Sequence, residues 1–351
     1  MRTSLLFFMR SLMPLQKRST TRGYWHQPGA SSRGCLSNII RPSSLVLPIQ
    51  HQSATRSQSS SSSSISSSFE APADKANSDS NAVFVVSSAS RGIGLQFVSS
   101  LLERTHGKII ACCRSPQTAD KLNNIASNDR IEVLPLDLED QTTIDALALQ
   151  IAKKYQRIDA LFNVAGILGD GISTPGPERS LASIDRDWFE KSLAVNVVGP
   201  TMLVQALSPL MRTRGRRRIA IDDVSENNGK QIEVIPPTDR PPTVIVNLSA
   251  RVGSISDNQL GGWYTYRSSK SALNQMTRTM AHELKRQGTH IIALHPGTTN
   301  TDLSKPFQKN VPDGRLFPVE FTVEKLLDVV DSLMEENNGG FYDWAGKALP
   351  F

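Results

Sequence analysis

The sequence is poor in cysteine, in long apolar runs and, at its start, in acid. Three cysteines in 351 residues make no disulfide framework. Two of them, Cys112 and Cys113, are neighbours, and adjacent cysteines rarely bridge because the geometry is strained. A reducing compartment is expected. No apolar run reaches the ~20 residues of a membrane span. The nearest, Leu5 to Phe8, is far too short, so no membrane span is expected. Acid is absent from the first 69 residues, which hold seven Arg and one Lys ahead of Glu70. The net charge is +6, of which +8 lies before Glu70, leaving −2 for the rest. With the folded part this close to neutral, no basic face need be invoked, and no nucleic-acid partner is expected.

Residues 1–80 differ in kind from the rest of the chain. They are rich in Arg and Ser and end in a serine tract, Ser59–Ser64. This is the composition of an organelle transit peptide. The opening MRTSLLFFMRSLMPLQKR suits a basic amphipathic helix with Leu5, Phe8 and Leu12 on one side and Pro14 near its end. A mitochondrial address is the first expectation. A chloroplast address, and a cytoplasmic protein whose disordered tail carries no address, are the alternatives. Arg10 interrupts the apolar stretch and argues against a secretory signal.

From Asn81 strand and helix alternate. Short apolar runs at 82–88, 108–114, 131–137, 158–166, 243–250 and 290–297 read as strands, with a seventh near Phe341. Helical spacing marks Ile93, Phe97 and Leu101, then Ile144, Leu147 and Ile151, then a long stretch from Asp185 to Met211. Met276, Met280 and Leu284 mark a further helix, and the last lies near 323–334. Apolar strands without alternation, separated by helices, predict an α/β fold: one Rossmann-type, doubly wound, seven-stranded parallel sheet in a single domain over 81–351. Residues 212–242, with RTRGRRR, DDVSENN and PPTDRPP, break the rhythm and read as a surface insertion. A solvated loop is the favoured reading there, a docking site for an acidic partner the other.

Two local patterns carry chemistry. The first strand runs into SSASRGIG (87–94), a strand-to-helix turn where Gly92 and Gly94 let backbone N–H groups approach a pyrophosphate. A site selective for NAD places an acid at the end of the next strand, about 20 residues past the glycines, to bond the ribose 2′-hydroxyl. This strand ends ACCRSP instead, with Arg114 in that region and Arg91 inside the glycine turn. Guanidinium groups suit a 2′-phosphate and point to NADP(H). In the second pattern, YRSSK, Tyr266 and Lys270 share one helix face at i, i+4. An ammonium beside a phenol favours phenolate, and the pair makes a general acid/base for an alcohol–carbonyl couple.

These patterns occur in order with Asp137 after the third strand, NVAG (163–166) after the fourth, VNVVGP (195–200), NLSARVGS before the YxxxK, and HPGTTNT (295–301). The ordered set resembles the short-chain dehydrogenase/reductase family over about 82–351. The segment GSISDNQLGGWYTYRSSKSALN and the tail GGFYDWAGKALPF are similar to the C-factor and sniffer-like carbonyl reductases. The resemblance implies hydride transfer between NADP(H) and a small carbonyl or alcohol, no metal, and a homodimer or homotetramer formed through the helices around 185–211 and 263–287. It implies a cofactor site from Ser88, Ser90, Arg91, Gly92, Ile93 and Gly94, with Arg114, Asp137 and Leu138. Asn163, Ala165 and Gly166 would line the adenine-ribose side, and Pro296, Gly297, Thr298 and Thr301 would hold the carboxamide and phosphate. Asn196 would hold a water in the proton relay, Lys270 would bond the nicotinamide ribose, and Tyr266 would pass the proton.

Three positions depart from the family pattern. Ser88 stands where the first glycine usually sits, which is tolerable while its φ stays negative. Val164 replaces the second Asn of the family's NNAG. Ala250 occupies the position of the catalytic serine, whose hydroxyl donates to the reacting oxygen. Losing one such donor costs about 10²–10³ in rate. Regular strand alternation turns Ser249 away, so Ser254 is the expected stand-in. Substrate choice is expected to lie with Trp263, Tyr264 and the loop 302–317. The rival reading is a dinucleotide-binding sensor or signalling protein with vestigial catalysis, which Ala250 favours and the intact Asn196, Tyr266 and Lys270 oppose.

Overall fold

Strands that are apolar at every position need cover on both faces, and that is how this chain folds. The computed structural model describes residues 72–169, 177–215, 217–221, 230–234 and 240–351. The elements run α1 (Pro72–Ser78), β1 (Val83–Val86), α2 (Gly92–Arg104), β2 (Lys108–Cys113), α3 (Asp120–Ile125), β3 (Ile131–Pro135), α4 (Gln141–Lys154) and β4 (Ala160–Asn163). Next come α5 (Arg186–Leu193), α6 (Gly199–Leu207), β5 (Arg217–Ile221), β6 (Lys230–Val234), β7 (Thr243–Leu248) and α7 (Tyr264–Leu284). The chain closes with β8 (Thr289–His295), β9 (Thr298–Thr299), β10 (Leu316–Phe317), α8 (Val319–Asp331) and β11 (Phe341–Asp343).

Seven strands form one sheet in the order β11-β8-β7-β4-β1-β2-β3, every pair parallel. This is the doubly wound Rossmann-type sheet that the alternation of strands and helices predicts. Within a strand, successive side chains part to opposite faces. Phe84 and Val86 join Phe97, Leu101, Ile109, Val323 and Leu326 in one core, under α2 and α8. Val83 and Val85 join Ile110, Ile144, Leu147, Leu203, Leu207 and Leu284 in the other, under α4, α6 and α7. The order reverses between β1 and β4, the switch point where α/β sheets open a ligand crevice at the carboxyl ends of their strands.

Three expectations change. The leader expected over 1–80 lies outside the described residues up to Ala71, but Pro72–Ser78 is helical. Asn77 donates to Asp331 at 3.1 Å and its carbonyl accepts from His106 N–H, so ordered structure begins ahead of Asn81. The helix expected from Asp185 to Met211 is α5, a π turn over Ala194–Val198, α6 and a closing 3-10 turn. This stretch is long and apolar enough to compare with a membrane span, at a mean hydropathy of 1.4, although 44% of that window is buried in the fold. Leu203, Val204 and Leu207 pack there against the sheet. Finally, the segment 212–242 is not loop throughout: β5 and β6 pair antiparallel, and the residues between and beside them lie outside those described.

Candidate active site

A cleft of ≈ 620 Å³ opens at the carboxyl edge of the sheet. Such a volume suits a cofactor-sized ligand. Its floor is the turn from β1 into α2, where Ser88, Ser90, Arg91, Gly92, Ile93 and Gly94 all line the wall. Helix α2 begins without a side-chain cap and without an acid in its first turn, so its leading N–H groups are left for an anion. Gly94 is required here: a Cβ would stand 2.2 Å from the Ser88 carbonyl oxygen. Ser88 itself departs from expectation. Its φ is +55°, in the left-handed region that a non-glycine residue adopts at a cost, so it takes the glycine conformation rather than avoiding it.

On the β2–β3 side the cleft is lined by Arg114, Asp137 and Leu138, and also by Ser115 and Thr118, which sequence reasoning missed. Two hydroxyl residues close behind an arginine were the signal available for them. On the β4 side stand Ala165, Gly166, Ile167 and Leu168. Beyond β7 the cleft reaches Tyr266, Lys270, Pro296 and Thr301.

Four expected cofactor or relay residues do not line it. Asn163 is buried, and its Nδ2 donates to Asn247 Oδ1 at 2.8 Å, tying β4 to β7. Asn247 in turn donates to Thr277 on α7 at 2.8 Å. Gly297 packs under Phe317 and Trp344, and Thr298 is spent on the β9–β10 pairing with Leu316. Asn196 sits fully buried in the π turn. Its Oδ1 accepts the Ile167 N–H at 2.8 Å, while Nδ2 donates to the Ile167 carbonyl at 3.0 Å and to Ser192 and Ser269. The side chain thus shapes the cleft through Ile167 and does not face it.

Helix α7 brings the Tyr-Lys pair in on its inner face, with Ser269, Leu273, Asn274 and Thr277 buried beside them at helical spacing. Lys270 Nζ donates to the Leu248 carbonyl at 2.8 Å and lies 5.7 Å from the Tyr266 ring centre. Burial governs both groups. It pushes the Lys270 ammonium down to about 8 and the Tyr266 phenol above its ordinary range. In the protein alone, burial therefore outweighs the lowering of the phenol expected from Lys270.

The two candidate serines lie differently from expectation. Ser254 is buried away from the cleft, and its hydroxyl accepts the Asp257 N–H at 3.1 Å. Ser249 does line the cleft, but its hydroxyl donates to Asn274 at 2.6 Å. Strand β7 ends at Leu248, so regular alternation no longer sets where Ser249 points. Ala250 packs with Leu168 and Tyr266, joined by Val252, Trp263, Leu303 and Phe307. Trp263 stands edge-on to Tyr266, ring centres 6.2 Å apart, and 5.1 Å from Phe307. Tyr264, expected to help choose the substrate, is not in this cluster.

The profile of the short chain dehydrogenase family matches residues 82–232 and 231–312. The chain belongs to that family. A 1-hydroxy-2-glutathionyl-2-methyl-3-butene dehydrogenase of Rhodococcus is 27% identical over 265 residues, covering 76% of this chain and 97% of its own. The C-signal protein of Myxococcus xanthus is 29% identical over 55% of this chain and 93% of its own. Among solved structures, the carbonyl reductase Sniffer of D. melanogaster superposes with a TM-score of 0.62 at 28% identity, over 78% of this chain and all of its own. An NADPH-bound carbonyl reductase from chicken fatty liver gives 0.62 at 27%, over 77% and 99%. As a family member of this carbonyl reductase-like kind, the chain is an oxidoreductase with a nicotinamide dinucleotide cofactor. The cleft fits that group: a glycine turn under an uncapped helix at its floor, cationic side chains towards β2, and the buried Tyr266 and Lys270 beyond β7.

Proposed function

We propose that the chain transfers hydride between NADP(H) and a small carbonyl or alcohol, with Tyr266 moving the proton. The observation that carries this is the placement of Tyr266 and Lys270 on one wall of a single cleft with Arg91 and Arg114 across the switch point. When bound, the nicotinamide supplies or accepts the hydride. In the reducing direction Tyr266 gives its phenolic proton to the carbonyl oxygen, and Lys270 holds the ribose and favours the phenolate left behind. Leu168, Val252, Trp263, Leu303 and Phe307 give the reacting centre an apolar wall, which suits an uncharged substrate. Self-association as a homodimer or homotetramer is part of the proposal. It is supported by the apolar helical stretch Arg186–Met211, on which Val198 is 53% exposed.

The test is a screen of carbonyl compounds with NADPH and NADH, following nicotinamide absorbance. NADPH is expected to bind at least about tenfold more tightly than NADH, about 1.4 kcal/mol. Arg114→Asp is expected to shrink that ratio; equal affinities in the parent would remove the NADP(H) assignment. One observation favours a second reading, a dinucleotide-binding sensor: among the described residues neither Ser249 nor Ser254 takes the place of Ala250, because the hydroxyl of each is engaged elsewhere. Tight NADPH binding without turnover on any carbonyl would select it.

A further inference from the structure

Helix α7 begins without a cap of its own. Its N-cap residue is Trp263, whose side chain makes no capping bond and whose φ of +55° lies in the left-handed region. A bulky residue stays there only when its surroundings hold it. Gly261 and Gly262, just before it, are left-handed as well. Asn258 accepts the Gly261 N–H at 3.1 Å and Arg267 Nε donates to the Gly262 carbonyl at 3.0 Å, but the bonds at Trp263 and Thr265 come from Glu178, some 85 positions earlier in the chain. The Glu178 carbonyl accepts the Trp263 N–H at 2.6 Å, and its carboxylate Oε2 accepts the Thr265 N–H at 3.2 Å. Glu178 is 5% exposed, and its Oε1 makes no hydrogen bond to the described residues. A carboxylate is costly to bury, and an apolar side chain would fill the same space without that cost. The partial positive charge and free N–H groups of a 21-residue helix's first turn are what a carboxylate can answer there.

We propose that Glu178 is a positioning residue for Tyr266: it caps α7 from outside the helix and fixes Trp263 in its left-handed turn. The proposal rests on Tyr266 being the proton donor. Tyr266 is the third residue of α7, so a frayed first turn moves its hydroxyl, and Trp263 is the ring packed edge-on against it. Small misplacements of a reacting group, on the order of 1 Å, cost about 10²-fold in rate.

The experiment compares the parent full-length protein with Glu178→Gln and Glu178→Ala. It measures amide hydrogen exchange at Trp263–Tyr266, NADPH affinity, kcat and KM. Glu178→Ala is expected to speed exchange at Thr265 and to lower kcat, each by about tenfold or more, with NADPH affinity within about twofold. Glu178→Gln keeps an oxygen acceptor and is expected to stay within about threefold of the parent in both. A purely structural role would lower NADPH affinity along with kcat, which would overturn the proposal. So would a Gln variant as impaired as Ala, or an Ala variant with unchanged exchange and turnover. If the parent itself reduced no carbonyl, the proposed function would fall, while the exchange contrast would still decide whether Glu178 caps the helix.

Discussion

Burial acts on Tyr266 and Lys270 in one sense, towards the uncharged form of each. For the phenol this keeps the proton available to donate. For the ammonium it places the loss of charge near pH 8, inside the working range. Below about 8 Lys270 is cationic and lowers the cost of the phenolate; above it the amine is neutral and that help is lost. Carbonyl reduction is therefore expected to show a kcat/KM that is flat up to about pH 8 and falls beyond it, since kcat/KM reports the groups of the free enzyme. Measuring kcat/KM from pH 6 to 10 checks this, and a profile level to pH 10 would contradict it. Residue identity alone carried the pairing of Tyr266 with Lys270, because i, i+4 spacing on a helix is a geometric fact. It could not carry the sign of the phenol shift, which depends on how much solvent the fold removes. Nor could it carry the φ of Ser88, which is set by the turn it closes over Gly94.

Among the elements, the strands were the most legible, because a sheet covered on both faces leaves a run of apolar residues with no alternation to misread. The π turn left no such trace. VNVVGP keeps helical spacing, and within the turn Asn196 bonds Ile167, Ser192 and Ser269. Asn163 was misplaced for a related reason: sequence puts it at the end of β4, but its partner is the next strand, β7. The amino edge of the sheet holds a cluster that was also invisible, since its members are far apart in the chain. Asp159 pairs with Arg157 at 2.7 Å and with Arg240 at 3.0 Å, and accepts the Val83 N–H at 2.8 Å. Arg157 also reaches Asp79 at 2.9 Å. The cluster thus ties the entry to β1 and the entry to β7 to one buried carboxylate. Arg240 and Asp159 are each 3% exposed, so removing the acid's charge strands a buried guanidinium. Asp159→Asn is expected to lower stability by about 3 kcal/mol in urea unfolding, with NADPH affinity little changed in the folded protein. A loss under about 1 kcal/mol would show that the cluster is solvated in practice.

At the scale of the whole molecule, the ordered set of motifs from the glycine turn to HPGTTNT specified the fold and the cleft together, because in a doubly wound sheet the carboxyl ends of the strands all face one crevice. What the motifs could not specify was the contents of that crevice beyond the cofactor positions. The apolar cluster around Ala250 draws Leu168, Val252, Trp263, Leu303 and Phe307 from four separate segments, and no single segment announces it. The proposed chemistry depends throughout on Tyr266 being the proton donor at the centre of that cluster. Tyr266→Phe removes the hydroxyl and keeps the ring against Trp263. The decisive measurement is steady-state kcat of this variant on an accepted carbonyl, with NADPH affinity determined separately. A fall of about two orders of magnitude or more at unchanged affinity is predicted, the usual scale for loss of a general acid. Full turnover in Tyr266→Phe would contradict the assignment of Tyr266 as the proton donor.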